Sequence, residues 1–190
     1  MKKNLIYSIL LGYLFCLFAC SGQVKEDAAT PKAQSEGNES TCKETLIALQ
    51  GENFSLNNFK AEGLQVYQDF MQSGSLRYPA LILAMTNYRK EGAYISDPTK
   101  DNEVQLIINF SGKSGSTIST QSYDIAGEGF GKSDALIVTF RTKDRTYALN
   151  LPSGKGEITY LSADKVCGTV DVKSQNGRTI VKGNFSCNLK

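Results

Sequence analysis

The sequence predicts a mainly β fold, an antiparallel β-sandwich or barrel of about eight to ten strands with at most one short helix. Three observations carry this expectation. Short runs alternate apolar and polar residues, as in Val104, Leu106, Ile108 and Phe110, or Leu136, Val138 and Phe140, which is the period of a strand buried on one face. Glycine, asparagine and aspartate stand between the runs, where turns need them. The chain has 190 residues, 41% of them hydrophobic, enough for one domain with a real core once an N-terminal leader is set aside.

That leader comes first. Lys2 and Lys3 precede an uncharged apolar stretch from Leu5 to Ala19, and polar Ser21-Gly22-Gln23 follows, the three-part layout of a secretory signal. At about 15 residues the stretch is shorter than the ~20 needed to span a bilayer as a helix. It ends in Leu17-Phe18-Ala19-Cys20, which resembles the lipobox of bacterial lipoproteins. The resemblance implies that residues 1–19 are cut off as a signal peptide and that Cys20 is the lipid attachment site, carrying a diacylglyceryl group and an acylated amine. The alternative is an ordinary signal peptide cleaved after Ala19 with Cys20 unmodified. Cys16 is a poor acceptor because bulky Phe15 precedes it. One acyl chain holds a protein on a membrane only marginally, at ~0.8 kcal/mol per buried CH2, whereas three suffice. In Gram-negative lipoproteins the lack of Asp after the lipidated cysteine implies the outer membrane, and here the residue is Ser21. Lys25-Glu26-Asp27 is similar to the signal that sends some lipoproteins of the Bacteroidetes to the cell surface, so the expected location is the outer membrane, facing the periplasm or the cell surface.

Residues 20–41 read as a lipidated, disordered tether, with Val24 as the only large apolar side chain beyond Cys20. Such a chain spans about 25 Å on average. Residues 42–190 read as a single β-rich domain. The formal charge of +2 drops to zero once the leader goes, because Lys2 and Lys3 are its only charges. A neutral chain gives no reason to expect nucleic acid as partner. Histidine and tryptophan are both absent, which removes the commonest general base and metal ligand and the usual stacking platform for flat ligands. No cofactor and no metal are expected.

Past Cys42, Thr45 to Leu49 and Asn53 to Leu56 flank Gly51 as an opening pair of strands. Residues 57–74 fit two patterns. Gly63, Val66, Tyr67, Phe70 and Met71 line one helical face with Gly74 as a stop, which slightly favours a helix, while Leu64-Gln65-Val66-Tyr67 also fits a strand. Arg77 to Tyr88 is nearly all apolar, as in a strand covered on both faces, with Pro79 at its start or on an edge. Tyr147, Leu149 and Leu151 alternate, as do Ile158 and Tyr160.

The last hairpin can be read to its register. A two-residue turn at Asn176-Gly177 pairs Val172 with Val181, Val170 with Gly183, Gly168 with Phe185 and Val166 with Cys187. One face is then apolar throughout, and Cys167 and Cys187 point to opposite sides. An exported chain with three thiols besides Cys20 forms one disulfide and leaves one thiol over. The register favours Cys42 with Cys167, closing a loop of roughly 125 residues worth about 4 to 5 kcal/mol in the chain-entropy model. A bulge near Lys182-Gly183 would turn Cys187 round and let it compete. Zinc is disfavoured, since there is no Cys-x-x-Cys and no histidine.

Gly156 to Tyr160, Cys167 to Val172 and Lys182 to Cys187 together resemble the ending of small calycin-like β-sandwich lipoproteins of unknown function, which implies a fold and an envelope location but no activity. Gly112-Lys113-Ser114 and Gly131-Lys132-Ser133 look like phosphate loops, but Ile107 and Ala126 stand where the motif needs its first glycine. Without histidine a Ser-His-Asp triad is impossible. No catalytic residue is assigned, and Asp101, Glu103, Asp124, Glu128 and Asp134 are the only candidates for a hydrolytic carboxylate pair. The expected partners are the membrane, through the N-terminal lipid, and either an envelope protein or a small apolar ligand. In order of preference, the sequence supports a non-catalytic binding or interaction module, a carrier of a small apolar ligand and a carboxylate-based hydrolase.

Overall fold

Period-two alternation over most of the chain produces two stacked antiparallel sheets that do not close into a barrel, so the fold is a β-sandwich. The computed structural model describes residues 36–189 apart from residues 90, 91, 93, 126–129 and 150–152. Cys20, Leu151 and Glu128 therefore lie outside the described residues. In chain order the strands are β1 (Glu36–Gly37), β2 (Leu46–Gly51), β3 (Phe54–Phe59), β4 (Gly63–Ser73), β5 (Leu76–Thr86), β6 (Val104–Ser111), β7 (Ser122–Asp124), β8 (Ala135–Thr142), β9 (Thr146–Ala148), β10 (Ser153–Leu161), β11 (Lys165–Lys173) and β12 (Ile180–Asn188). Sheet A runs β1-β10-β11-β12-β2-β3 with β7 also paired to β10, and sheet B runs β4-β5-β6-β8-β9. A bridge between Ile125 and Leu136 ties the end of β7 to β8, joining the sheets along one side.

The number of strands exceeds the expected eight to ten because β1, β7 and β9 have only two or three residues, too few to show a period. Residues 36–41, the last of the expected tether, have structure of their own. Glu36–Gly37 pair with Tyr160 and Leu161 of β10, and Glu39–Thr41 form a 3-10 turn capped by the Asn38 side chain, which accepts the Ser40 N–H at 3.0 Å.

Residues 57–74 are not helical. They finish β3 and form all of β4, whose eleven residues pair with β5 without a break in register. Leu64 and Val66 turn to the core while Tyr67 and Met71 turn out, so the apolar residues that mimic a helical face are divided between the two sides of a strand. Pro79 is tolerated inside β5 because the β5–β6 ladder begins one residue later, at Ala80 opposite Ser111. Ile158 and Tyr160 do not share a face either. A bulge at Thr159 shifts the register, so Tyr160 pairs with outward Cys167 while Leu161 turns into the core.

The pairing of β11 with β12 follows the expected register, Val172 to Val181 through Val166 to Cys187. Its turn is longer than two residues. Ser174 and Thr179 still bond across it, N to O at 2.9 Å, and Gly177 N–H closes back on Ser174 O at 2.9 Å with φ +67°. A four-residue turn centred on the same point leaves every pairing unchanged.

Between the sheets, Phe110 lies edge-on to Tyr123 at 5.1 Å and 5.7 Å from Phe185, while Phe140 stacks on Tyr147 at 4.5 Å. Each fully buried ring contributes about 1.5–3 kcal/mol over its exposed state. Room for these rings is made by glycine. A Cβ on Gly168 would fall on the Glu157 carbonyl oxygen and against the Phe185 ring, and Gly183, at φ +155°, approaches the Leu46 carbonyl in the same way. Gly168→Ala is therefore expected to cost about 1–3 kcal/mol by overpacking. A guanidinium midpoint equal to that of the natural protein would show that the strands can part at no cost.

Candidate interaction surface

Cys42 follows the 3-10 turn, and its sulfur is bonded to that of Cys167 on β11, with the Cα atoms 5.3 Å apart and the two residues 125 positions apart in sequence. The bond lies on the outer face of sheet A, with Cys167 buried and Cys42 half-buried. Glu39 and Lys165 pair beside it at 3.2 Å. The remaining described cysteine, Cys187, faces inward, and its thiol donates to Met85 Sδ at 3.7 Å. Burial pushes its pKa up to about 12.

The candidate carboxylates among the described residues, Asp101, Glu103, Asp124 and Asp134, each have their own structural duty or stand in solvent. Glu103 Oε2 accepts the Thr99 and Lys100 amides and the Thr99 hydroxyl, at 2.7 to 3.1 Å, and the Thr99 amide leads in holding this carboxyl below its ordinary range. Asp101 binds Lys143 at 3.0 Å. Asp134 accepts the Lys113 N–H at 3.0 Å and a Gln121 amide proton at 3.1 Å, which also shows that Gly112-Lys113-Ser114 is a loop tied down by an acid rather than a phosphate cradle. Asp124 is exposed on β7. Among the described residues no cluster of three or more Cys, Asp or Glu could hold a metal, and no helix is long and apolar enough to cross a membrane.

The two outer faces differ in character. Sheet A presents Lys155, Glu157, Asp171, Lys173 and Lys182, with Lys182 bound to Asp171 at 2.6 Å. Sheet B presents Tyr67, Met71, Ile82, Ile107 and Ile137 around the small Ala80 and Ala84, with charge only at Asp69 and at Arg141, which is paired with Asp97. Tyr67 is 45% exposed and Met71 41%. Phe130 stacks on Tyr78 at one end of this face, and of the outward residues from Tyr78 to Ala84 only Ile82 is partly exposed.

β4 is also the edge of sheet B. Gly112 N–H donates to the Pro79 carbonyl at 2.8 Å, so Pro79 turns its backbone toward β6, and Phe70, paired with Pro79, must turn its own backbone away from β5. The same phase applies at Leu64, Val66 and Gln72. Asp69 Oδ1 accepts the outward Phe70 N–H at 2.6 Å. Beside the first half of this edge, a groove of about 520 Å³ opens between residues 61–66 and residues 186–189. Leu64, Val66, Cys187 and Leu189 supply its apolar lining. The helical reading of 57–74 hides this edge. The signal that reveals it is the alternation of Leu64, Val66 and Phe70 against Gln65, Asp69 and Met71.

Compared with known proteins, the chain matches no family model, and no curated protein or solved structure is similar enough to count as a match.

Cys187 yields a prediction from its burial. At pH 8 the native protein should leave this thiol unreacted with an aromatic disulfide reagent over the minutes in which guanidinium-unfolded protein reacts fully. Because its folded pKa is raised, stability is intact below about pH 9 and falls as pH climbs toward about 12, and Cys187→Val should flatten that alkaline decline. Immediate reaction of the native thiol would mean that the groove admits solvent to it.

Proposed function

We propose that the protein is a lipid-anchored component of the cell envelope whose β-sandwich works as a non-catalytic interaction module. The single observation that carries the anchor is Leu17-Phe18-Ala19-Cys20 at the end of a charged-then-apolar leader. Ser21 after the cysteine favours the outer membrane, with the domain facing the periplasm or the cell surface. The interaction reading is supported by where apolar surface is spent. Phe110, Phe140, Phe185 and Tyr123 pack between the sheets, which favours an interaction surface over a chamber for a small apolar ligand. Among the described residues, exposed Tyr67 and Met71 stand together on β4, the edge strand of sheet B, while exposed Leu46 stands alone on sheet A.

Metabolic labelling with an alkyne palmitate tests the anchor. The natural chain should be labelled and fractionate with membranes, and Cys20→Ser should lose both properties while keeping its fold. Equal labelling of the two proteins would refute the lipid assignment at Cys20.

A further inference from the structure

We propose that two copies of this chain pair through β4, antiparallel about a two-fold axis, so that the two B sheets become one and each copy's Phe70 enters the groove of the other. This deepens the interaction-module reading by naming the partner. It does not depend on the lipid.

The edge itself is the first ground. Sheet edges are normally guarded by short length, lysine, proline or a bulge. Among the described edges, β1 and β9 have two and three residues, and β3 has six and a bulged pairing to β2. β4 has eleven residues, no lysine, no proline and an unbroken register. The Asp69 carboxylate sits on the outward Phe70 amide, an exposed contact that the second copy's carbonyl can replace.

The second ground is self-complementarity. Outward backbone groups fall on even-numbered residues from Leu64 to Gln72, and a two-fold that pairs even with even satisfies both strands at once. With the axis near the middle of β4, Phe70 of one copy lies opposite Val66 or Leu64 of the other. Phe70 shares the inward face of Leu64 and Val66, but it sits where the β4–β5 ribbon runs past the end of β6, with the Arg77 guanidinium 4.5 Å above its ring. In the pair it lands among Leu64, Val66, Cys187 and Leu189, in a groove of about 520 Å³. Each copy thus carries both the projecting ring and the recess for it. The outer-face residues Tyr67 and Met71 come together across the same seam.

Charge permits this partner. β4 carries one charge, Asp69, and registers centred on residue 67 or 68 place it opposite Gln65 or Tyr67 rather than its own copy. The isologous pairing consumes the edge of both copies, so it closes at a dimer instead of growing into a fibre.

The test uses the full-length protein extracted from membranes in mild detergent, with its mass read by light scattering corrected for bound detergent. The natural chain should have twice the monomer mass. Phe70→Lys and, separately, the double variant Tyr67→Lys/Met71→Lys should weaken dimerisation at least about tenfold, a change of ~1.4 kcal/mol. Leu46→Lys, on the outer face of sheet A, should leave it intact. The double variant touches only exposed side chains, so it decides the matter even where Phe70→Lys lowers the thermal midpoint. A natural chain that is monomeric up to about 100 μM (dimer affinity then weaker than ~5.5 kcal/mol), a dimer indifferent to the lysines on β4, or a stable complex with a different protein in place of self-pairing would each overturn the proposal. Loss of palmitate labelling in Cys20→Ser is unaffected by any of these outcomes, so the two readings fail separately.

Discussion

The parity of β11 governs the rest of the sandwich. Along this strand Val166, Gly168, Val170 and Val172 face the interior, and Cys167, Thr169 and Asp171 face out. A slip of one residue would exchange the two sets, exposing three valines and driving Asp171 into the core at a cost of several kcal/mol. The glycine at 168 allows β10 and the Phe185 ring to close on β11 from two sides. Outward Cys167 is in turn what Cys42 can reach, and inward Cys187, directly opposite Val166, is what it cannot.

This parity was legible because it rests on local chemistry. Alternation marked the faces of β6, β8, β11 and β12, and the Asn-Gly pair marked the centre of the last turn. The true turn is longer, closed by Ser174 and Thr179, but it shares that centre, so the register and the facing of the cysteines came through unaltered. The bulge at Thr159 was not legible. No glycine or proline marks it, and it exists because β10 must serve β11 on one side and both β7 and β1 on the other.

β4 fits both a helical and a strand period for a physical reason that also makes it of interest. A buried strand shows period two because one face meets the core and the other meets water. The far half of β4 meets neither a full core nor a third strand, so apolar residues stand on both of its faces, and Val66, Tyr67, Phe70 and Met71 fit a period of 3.6 as well as they fit two. The groove beside this edge is assembled from segments more than a hundred residues apart. Each carboxylate likewise could be named from sequence, but whether it faced another acid or, like Glu103, a pair of amides is a property of the folded loops.

The bond between Cys42 and Cys167 fixes how the domain bears mechanical load. Tension applied at the N-terminus first meets β1, two residues zipped to β10, which peel at little cost. It then passes across the sulfur bridge into β11, which lies inside sheet A and is flanked by β10 and β12 along its length. Everything between the two cysteines is bypassed, including all of sheet B. At about 3.5 Å per residue, a chain of this length between cysteines would add roughly 440 Å of extension on unravelling, and the covalent link withholds it. Pulled from its N-terminal side, the sandwich is held at an interior strand and keeps sheet B, with its free edge, out of the path of the force.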